Sequence, residues 1–265
     1  MKNDKFQTDK PHMYSDGSGL SLVQGSLSLQ ADFRRMLPRI RRGNLRQELL
    51  VKAARLKRDV SGGADLQGPS GPETAAGSGT APLVLDATAG FGEDSFLLAA
   101  AGFNVIMFEK DPVIAALLSD ALRRAAQDPE LADIVSRMSL TEGDSITAMK
   151  RLAGHENRPG CAAGSPAGDP EAGAAAPRPR PVPDVIYLDP MFPKRTKSAS
   201  IKKKFQLLQQ LEHPCENEEE LLAAAIAARP KKIVIKRPLK GPYLAGIKPA
   251  YSLSGSTIRY DCILP

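Results

Sequence analysis

LVLDATAGFGEDSFLLAAAGFNVIMFEKD, residues 83–111, holds two short apolar runs separated by a glycine-rich turn and a helical segment. LVLDA (83–87) has the length and aliphatic character of a buried strand, and NVIMFEK (104–110) that of a second one. Between them, GEDSFLLAAAG reads as a helix closed by Gly102. DPVIAALLSDALRRAAQ follows, with Asp111 as N-cap, Pro112 at the first helical position and apolar residues at 113, 114, 117, 118, 121 and 122, which predicts a one-sided helix. Strand, helix, strand, helix in so short a span predicts parallel strands with crossover helices.

The rest of the chain continues the alternation. MSLTEGD (138–144) predicts a third strand, SITAMKRL a short helix, DVIYLDP (184–190) a fourth strand and KKIVIKRP (231–238) a fifth. IKKKFQLLQQL and EEELLAAAIAAR, between the last two strands, both read as helices. AYSLSGSTIRYDCILP carries two β-rich runs around a Ser-Gly turn and predicts an antiparallel pair. The fold class is therefore α/β, a doubly wound sheet with an antiparallel C-terminal edge strand. Two stretches interrupt it: Ser61 to Pro82, and Ala153 to Pro183, where 20 of 31 residues are Gly, Ala or Pro and too little apolar surface is present to offset ordering entropy. The expected organisation is a basic N-terminal extension (1–60), partly disordered at its start, a flexible loop (61–82), and a main domain (83–265) with a flexible insertion at 153–183.

Composition narrows the function classes. With 265 residues, 42% hydrophobic and 25% charged, the chain can bury a core. No run approaches the roughly 18–20 apolar residues of a membrane helix, and MKNDKFQTDKPHMYSDG has no signal-peptide core, so a cytoplasmic location and no membrane contact are expected. The three cysteines are widely spread, and no metal site is expected from them. Net charge is +6, and it is unevenly placed: Arg34 to Arg58 carries ten Lys or Arg against Glu48 alone, and Lys194 to Lys204 carries six with no acid. Both stretches are candidates for phosphate contact.

Ligands of doubly wound sheets bind at the carboxyl ends of the strands. Here those ends read Asp86 followed by ATAGFGED, Glu109 with Lys110, Asp144 with Ser145, and Asp189 followed by PMFP. Gly90 and Gly92 let backbone approach a ligand closely. A dinucleotide fingerprint wants a third glycine where this chain has Ser95. Glu109, at the end of the second strand, has the chemistry to accept both hydroxyls of a ribose. Asp86 reads equally as cofactor support or as a carboxylate bracing the turn, and Ser145 as a cap for the helix after Asp144.

DxxxGxG from Asp86, an acid after the third strand and Asp-Pro-x-Phe after the fourth together resemble the layout of Rossmann-like class I S-adenosylmethionine-dependent methyltransferases. DATAGFGEDSFLLAAAG, FEKDPVIAALLSDALRRA, YLDPMFPKRTKSASIKKKFQLLQQL, IVIKRP and DFRRMLPRIRRGNLRQELLVKAA are further similar to the RsmJ family, which methylates the exocyclic N2 of a guanine in 16S ribosomal RNA. The resemblance implies S-adenosyl-L-methionine as cofactor, 16S rRNA or the 30S subunit as partner, and cofactor contacts at Glu93, Asp94, Glu109, Lys110, Asp144, Ser145 and Asp189.

For such chemistry Asp189 and the Pro190 carbonyl are candidate acceptors for the two amino hydrogens, with Phe192 stacking on the base. Met191 stands where the amino-methylating motif has a second proline. Lys194, Arg195 and Lys197, with Arg41 and Arg42 in the N-terminal stretch, are the candidates for RNA phosphates, and KRP at 236–238 is a further one. Transfer to another amino group, on DNA adenine or a protein amide, and a non-catalytic RNA-binding role remain alternatives on the residues alone.

Overall fold

A computed structural model of the chain describes residues 10–41, 43–56, 81–156, 182–190 and 217–265. The helix expected at IKKKFQLLQQL and most of the two Gly/Ala/Pro-rich stretches lie outside the described residues.

The main sheet contains β4 (Leu83–Asp86), β5 (Asn104–Glu109), β6 (Met138–Glu142), β7 (Val185–Leu188), β8 (Lys232–Pro238), β9 (Tyr251–Ser254) and β10 (Ile258–Ile263). Their order is β6-β5-β4-β7-β8-β10-β9, with the first five parallel and both remaining ladders antiparallel. The expected C-terminal pair is present, with β10 inside the sheet and β9 at its edge. Strand order reverses beside β4, which pairs with β5 on one side and β7 on the other. A crevice at the carboxyl ends of β4 and β7 is the consequence.

Helices cover both faces. α4 (Glu93–Ala100) and α5 (Pro112–Ala125) follow β4 and β5; α6 (Ala132–Val135) leads into β6; α7 (Ser145–Glu156) and α8 (Glu218–Ala227) lie on the other side. As the sequence predicts, Asp111 caps α5 by accepting from the Val113 and Ile114 amides at 2.8 and 3.0 Å, with Pro112 at the first position. Gly102 takes φ +96 just beyond α4. α7 runs to Glu156, four residues past the SITAMKRL segment read as helical. One core lies between the sheet and α4, with Phe96, Leu97, Leu118, Val84, Val105 and Tyr187 buried; the other joins α7 and α8 to Ile186, Leu188, Ile233 and Ile235.

Residues 12–56 are structured further than the sequence reading foresaw. β1 (His12–Asp16), β2 (Gly19–Gln24) and β3 (Leu27–Leu29) form a separate antiparallel sheet. A 3-10 turn (Phe33–Met36) and three short helices, α1 (Leu37–Ile40), α2 (Asn44–Gln47) and α3 (Leu49–Ala54), come next. Leu22 packs on Leu117 of α5, and the Phe33 and Phe96 rings stack at 5.0 Å. Lys232 sends its ammonium to the Ala53 and Arg55 carbonyls at 2.9 and 2.5 Å, so a buried cation satisfies the end of α3. These residues share the main core.

Candidate active site

The turn after β4 is built around two carboxylates. Asp86, 1% exposed, accepts from the Thr88 amide at 3.0 Å and the Ser95 hydroxyl at 2.5 Å. Burial pushes its pKa up to about 7 against those two hydrogen bonds. Of its two expected roles, bracing the turn is the one these contacts serve; Ser95, which replaces the third glycine of a dinucleotide fingerprint, is the brace's partner. Glu109 accepts from the Gly90 amide through Oε2 and from the Asp111 amide through Oε1, both at 2.8 Å. Burial raises its pKa too, opposed by these amides.

The two glycines differ. Gly92 (φ +73) lies under Leu118, where an added Cβ would come within 2.8 Å of Leu118 Cδ1. Gly90 (φ +54) has no atom of the described residues within 4 Å of that position, so its outer face is open toward them. The α4 N-terminus, with Glu93 and Asp94 in its first turn, starts directly behind. An open glycine, the amides of a helix N-terminus and a strand-end carboxylate suit a ligand carrying a ribose and a charged group.

Asp189, at the end of β7, is fixed from two directions. Its amide donates to Thr88 Oγ1 at 2.7 Å, and its Oδ2 accepts from Lys236 at 2.8 Å. The same ammonium donates to Asp94 Oδ2 at 2.7 Å, which also accepts from the Tyr187 hydroxyl at 2.6 Å. Parallel pairing of β7 and β8 sets Leu188 opposite Ile235, which brings Lys236 beside Asp189. Burial raises the Asp189 pKa and Lys236 pulls it back. The Lys236 pKa goes up because its two carboxylates outweigh the cost of burial. Among the described residues, Oδ1 of Asp189 carries no such bond.

Asp144 caps α7: its Oδ2 accepts from the Thr147 amide at 2.9 Å and hydroxyl at 2.7 Å. The capping role read for Ser145 belongs to Asp144, because Ser145 already sits in the helix and is buried. Burial favours the neutral acid, but the Thr147 bonds and nearby Lys110 hold the Asp144 pKa below its usual value.

Asp86, Gly90, Gly92, Glu93, Asp94, Glu109, Lys110, Asp144, Ser145, Asp189 and Pro190 therefore all lie on the carboxyl-end rim of the sheet or in the turns rising from it. Met191, Phe192, Lys194, Arg195, Lys197 and Arg42 lie outside the described residues. Arg41 is exposed beyond α1. The reading of KRP as an RNA contact is corrected at two of its three residues: Lys236 turns to Asp94 and Asp189, and Arg237, 1% exposed, pairs with Glu218 and the Pro242 carbonyl. The sequence reading missed Lys236 and Tyr187 as parts of this cluster. Their signal was a lysine directly after the apolar IVI run of β8 and a tyrosine hydroxyl within the apolar β7. Among the described residues no helix is long and apolar enough to cross a membrane.

Residues 74–159 and 171–265 match the family described as "Putative SAM-dependent methyltransferase". The chain is 42% identical over 183 residues to the "Ribosomal RNA small subunit methyltransferase J" of Pseudomonas fluorescens and 43% identical over the same length to that of Pseudomonas aeruginosa, in each case 69% of this chain and 60% of the relative. It thus spans about 60% of the length of these curated relatives. A crystal structure of a SAM-dependent methyltransferase from Neisseria gonorrhoeae superposes with a TM-score of 0.65 at 29% identity, covering 99% of this chain and 86% of that one. With the family match spanning the glycine turn, the strand-end carboxylates and Asp189, the chain belongs to the SAM-dependent methyltransferases.

Proposed function

We propose that this protein transfers a methyl group from S-adenosyl-L-methionine to the exocyclic N2 of a guanine in the 16S RNA of the small ribosomal subunit. The observation that carries this reading is Asp189, held by Thr88 and Lys236 at the switch point of the sheet, with Oδ1 unbonded among the described residues. The names of the Pseudomonas relatives support the RNA class. Such a substrate goes with a cytoplasmic location and with contacts to 16S rRNA or the 30S subunit.

When bound, the cofactor supplies an electrophilic methyl on a sulfonium. Gly90 leaves room for it and Glu109 accepts its ribose hydroxyls, while Asp144 and Ser145 face the adenine and Lys110, Glu93, Asp94 and Asp86 frame the pocket. Asp189 Oδ1 and the Pro190 carbonyl hold the two N–H groups, so the amino lone pair is directed at the methyl carbon. The proton that the amino nitrogen gives up on methylation would pass to Asp189. Most of the rate then comes from alignment, for which well-oriented groups contribute up to about 7–11 kcal/mol. Phe192 stacks on a base swung out of its helix, at a cost of a few kcal/mol. Lys194, Arg195 and Lys197, with Arg41 and Arg42, take the phosphates. Residues 83–265 form the methyltransferase domain and 1–60 a basic extension.

A tritiated-methyl transfer assay with naked 16S rRNA, 30S subunits, DNA and a protein extract tests this. Label is expected in the small-subunit RNA, at N2 of one guanine. Label confined to DNA or protein would move the activity to another amino group, and no label with any of them would remove it.

A further inference from the structure

The N-terminal sheet has a second face, opposite the one packed on α5. Leu20, Leu22, Leu27 and Leu29 point inward onto Val113 and Leu117 of α5. Because strand side chains alternate, the residues between them point outward. The register sets His12 opposite Val23 and Val23 opposite Ser28, with Tyr14 opposite Ser21. These residues line an open groove of about 640 Å³, bordered by Gln30 and by Arg35 from the following turn. Tyr14 is 52% exposed in it, and the Arg35 side chain is 60% exposed. Asp16, the groove's one acid, is occupied by the Ser18 amide and hydroxyl at 2.8 and 2.6 Å.

This sheet is not a loose appendage. The Leu20 amide donates to Asp120 at 2.9 Å, and Arg124 joins Asp120 at 2.7 Å to the Ala31 carbonyl. The face is thus presented at a fixed position on α5, which begins at the rim beside Glu109.

Charge selects the partner. Residues 1–56 carry eleven Lys and Arg against five Asp and Glu, whereas residues 57–265 carry 25 of each. All of the net charge of +6 therefore resides in residues 1–56, and within them in residues 32–56, which follow the sheet and include Arg35 beside the groove. An exposed aromatic ring on a sheet, flanked by hydroxyls, an amide and an arginine, suits an unpaired nucleotide: the ring stacks on a base and the cation meets a phosphate.

We propose that the outer face of the N-terminal sheet, centred on Tyr14 and Arg35, binds single-stranded RNA next to the nucleotide that enters the strand-end site. The inference rests on the RNA reading above and adds a second contact surface to it. It explains why a catalytic sheet that is complete from β4 onward carries a three-stranded platform with a polar outer face.

The test is fluorescence anisotropy of the full chain with a labelled single-stranded oligouridylate and a duplex of equal length, over a range of salt. Single-strand binding stronger than duplex binding is expected. Tyr14→Ala should weaken it by about tenfold or more, in line with the loss of one stacked base. Tyr14→Phe should restore it, and Arg35→Gln should lower the salt slope by about one. All three variants should bind S-adenosylhomocysteine like the unaltered chain, which separates this surface from the cofactor site. Wild-type affinity in Tyr14→Ala, or equal affinity for duplex, would overturn the platform while leaving the methyltransferase reading intact. A chain that transfers methyl to rRNA but has no affinity for the oligonucleotide would overturn it as well.

Discussion

Lys236 Nζ stands 2.8 Å from Asp189 Oδ2 and 2.7 Å from Asp94 Oδ2, one cation shared by two carboxylates at the ends of different elements. Without it, Asp189 would face the nearby Asp94 charge and the cost of burial with no cation to oppose them. The ammonium thus favours the ionised form of Asp189 and fixes its Oδ2.

Lys236→Met should therefore move the acid limb of the pH–rate profile. The Asp189 pKa is already raised by burial, with Lys236 opposing the rise, so removing the lysine sends it further up. An ionised Asp189 is then lost on lowering the pH sooner than in the parent. The expected result is a kcat deficit larger on the acid side of the profile than on the alkaline side, with the limb displaced upward and restored by Lys236→Arg. A uniform deficit at every pH would assign Lys236 a packing role.

Asp189→Ala should reduce methyl transfer by a hundredfold or more, the order expected for a lost acid–base and positioning group, while S-adenosylhomocysteine affinity falls by less than about tenfold. Single-turnover transfer and calorimetry measure the two separately. Equal losses in both would make Asp189 a cofactor-holding residue.

Asp86 ties stability to pH. Its pKa is about 7 in the folded chain against 3.8 when unfolded. Between those values the folded state keeps a proton that the unfolded state has released, so stability falls as pH rises through that window and levels off above it. Asp86→Asn keeps an acceptor for the Thr88 amide and offers Ser95 a donor, and it should flatten this dependence by up to about 4 kcal/mol. Urea unfolding at pH 4.5 and pH 8 gives the comparison; an unchanged difference between the two pH values would show that Asp86 is not its source.

The two glycines of the turn should separate stability from binding. Gly92→Ala forces a Cβ within 2.8 Å of Leu118 Cδ1 and 3.3 Å of Phe33 Cζ at φ +73, and should cost about 3 kcal/mol of folding stability. Gly90→Ala meets no atom of the described residues within 4 Å and should cost only about 1 kcal/mol, from its left-handed backbone, while lowering S-adenosylhomocysteine affinity more than Gly92→Ala does in the folded fraction. Thermal unfolding with and without S-adenosylhomocysteine reads both effects, and similar stabilities for the two variants would contradict the packing argument.

Elements whose signals are local were legible in the chain. Asp111 with Pro112 marked the start of α5, Gly102 the end of α4, and the aliphatic runs at 83–86 and 185–188 the central strands. The N-terminal sheet was also written locally, in alternating Leu20 and Leu22 between the glycine turns at Gly17–Gly19 and Gly25, but the arginines that follow drew the reading toward a basic extension. Ser145 was read as a cap because its hydroxyl suits one; the carboxylate one residue earlier reaches the free amides first.

The amino-acid sequence alone determined the alternation of strands and helices and the row of carboxylates at the strand ends, since periodicity, caps and turns depend on residues a few positions apart. Tertiary structure decided what each carboxylate does. Asp189 meets Thr88 across 101 residues and Lys236 across 47, and both meetings exist because β7 lies between β4 and β8. Strand order is set by which faces bury together over the whole sheet, and no short stretch of sequence contains that information.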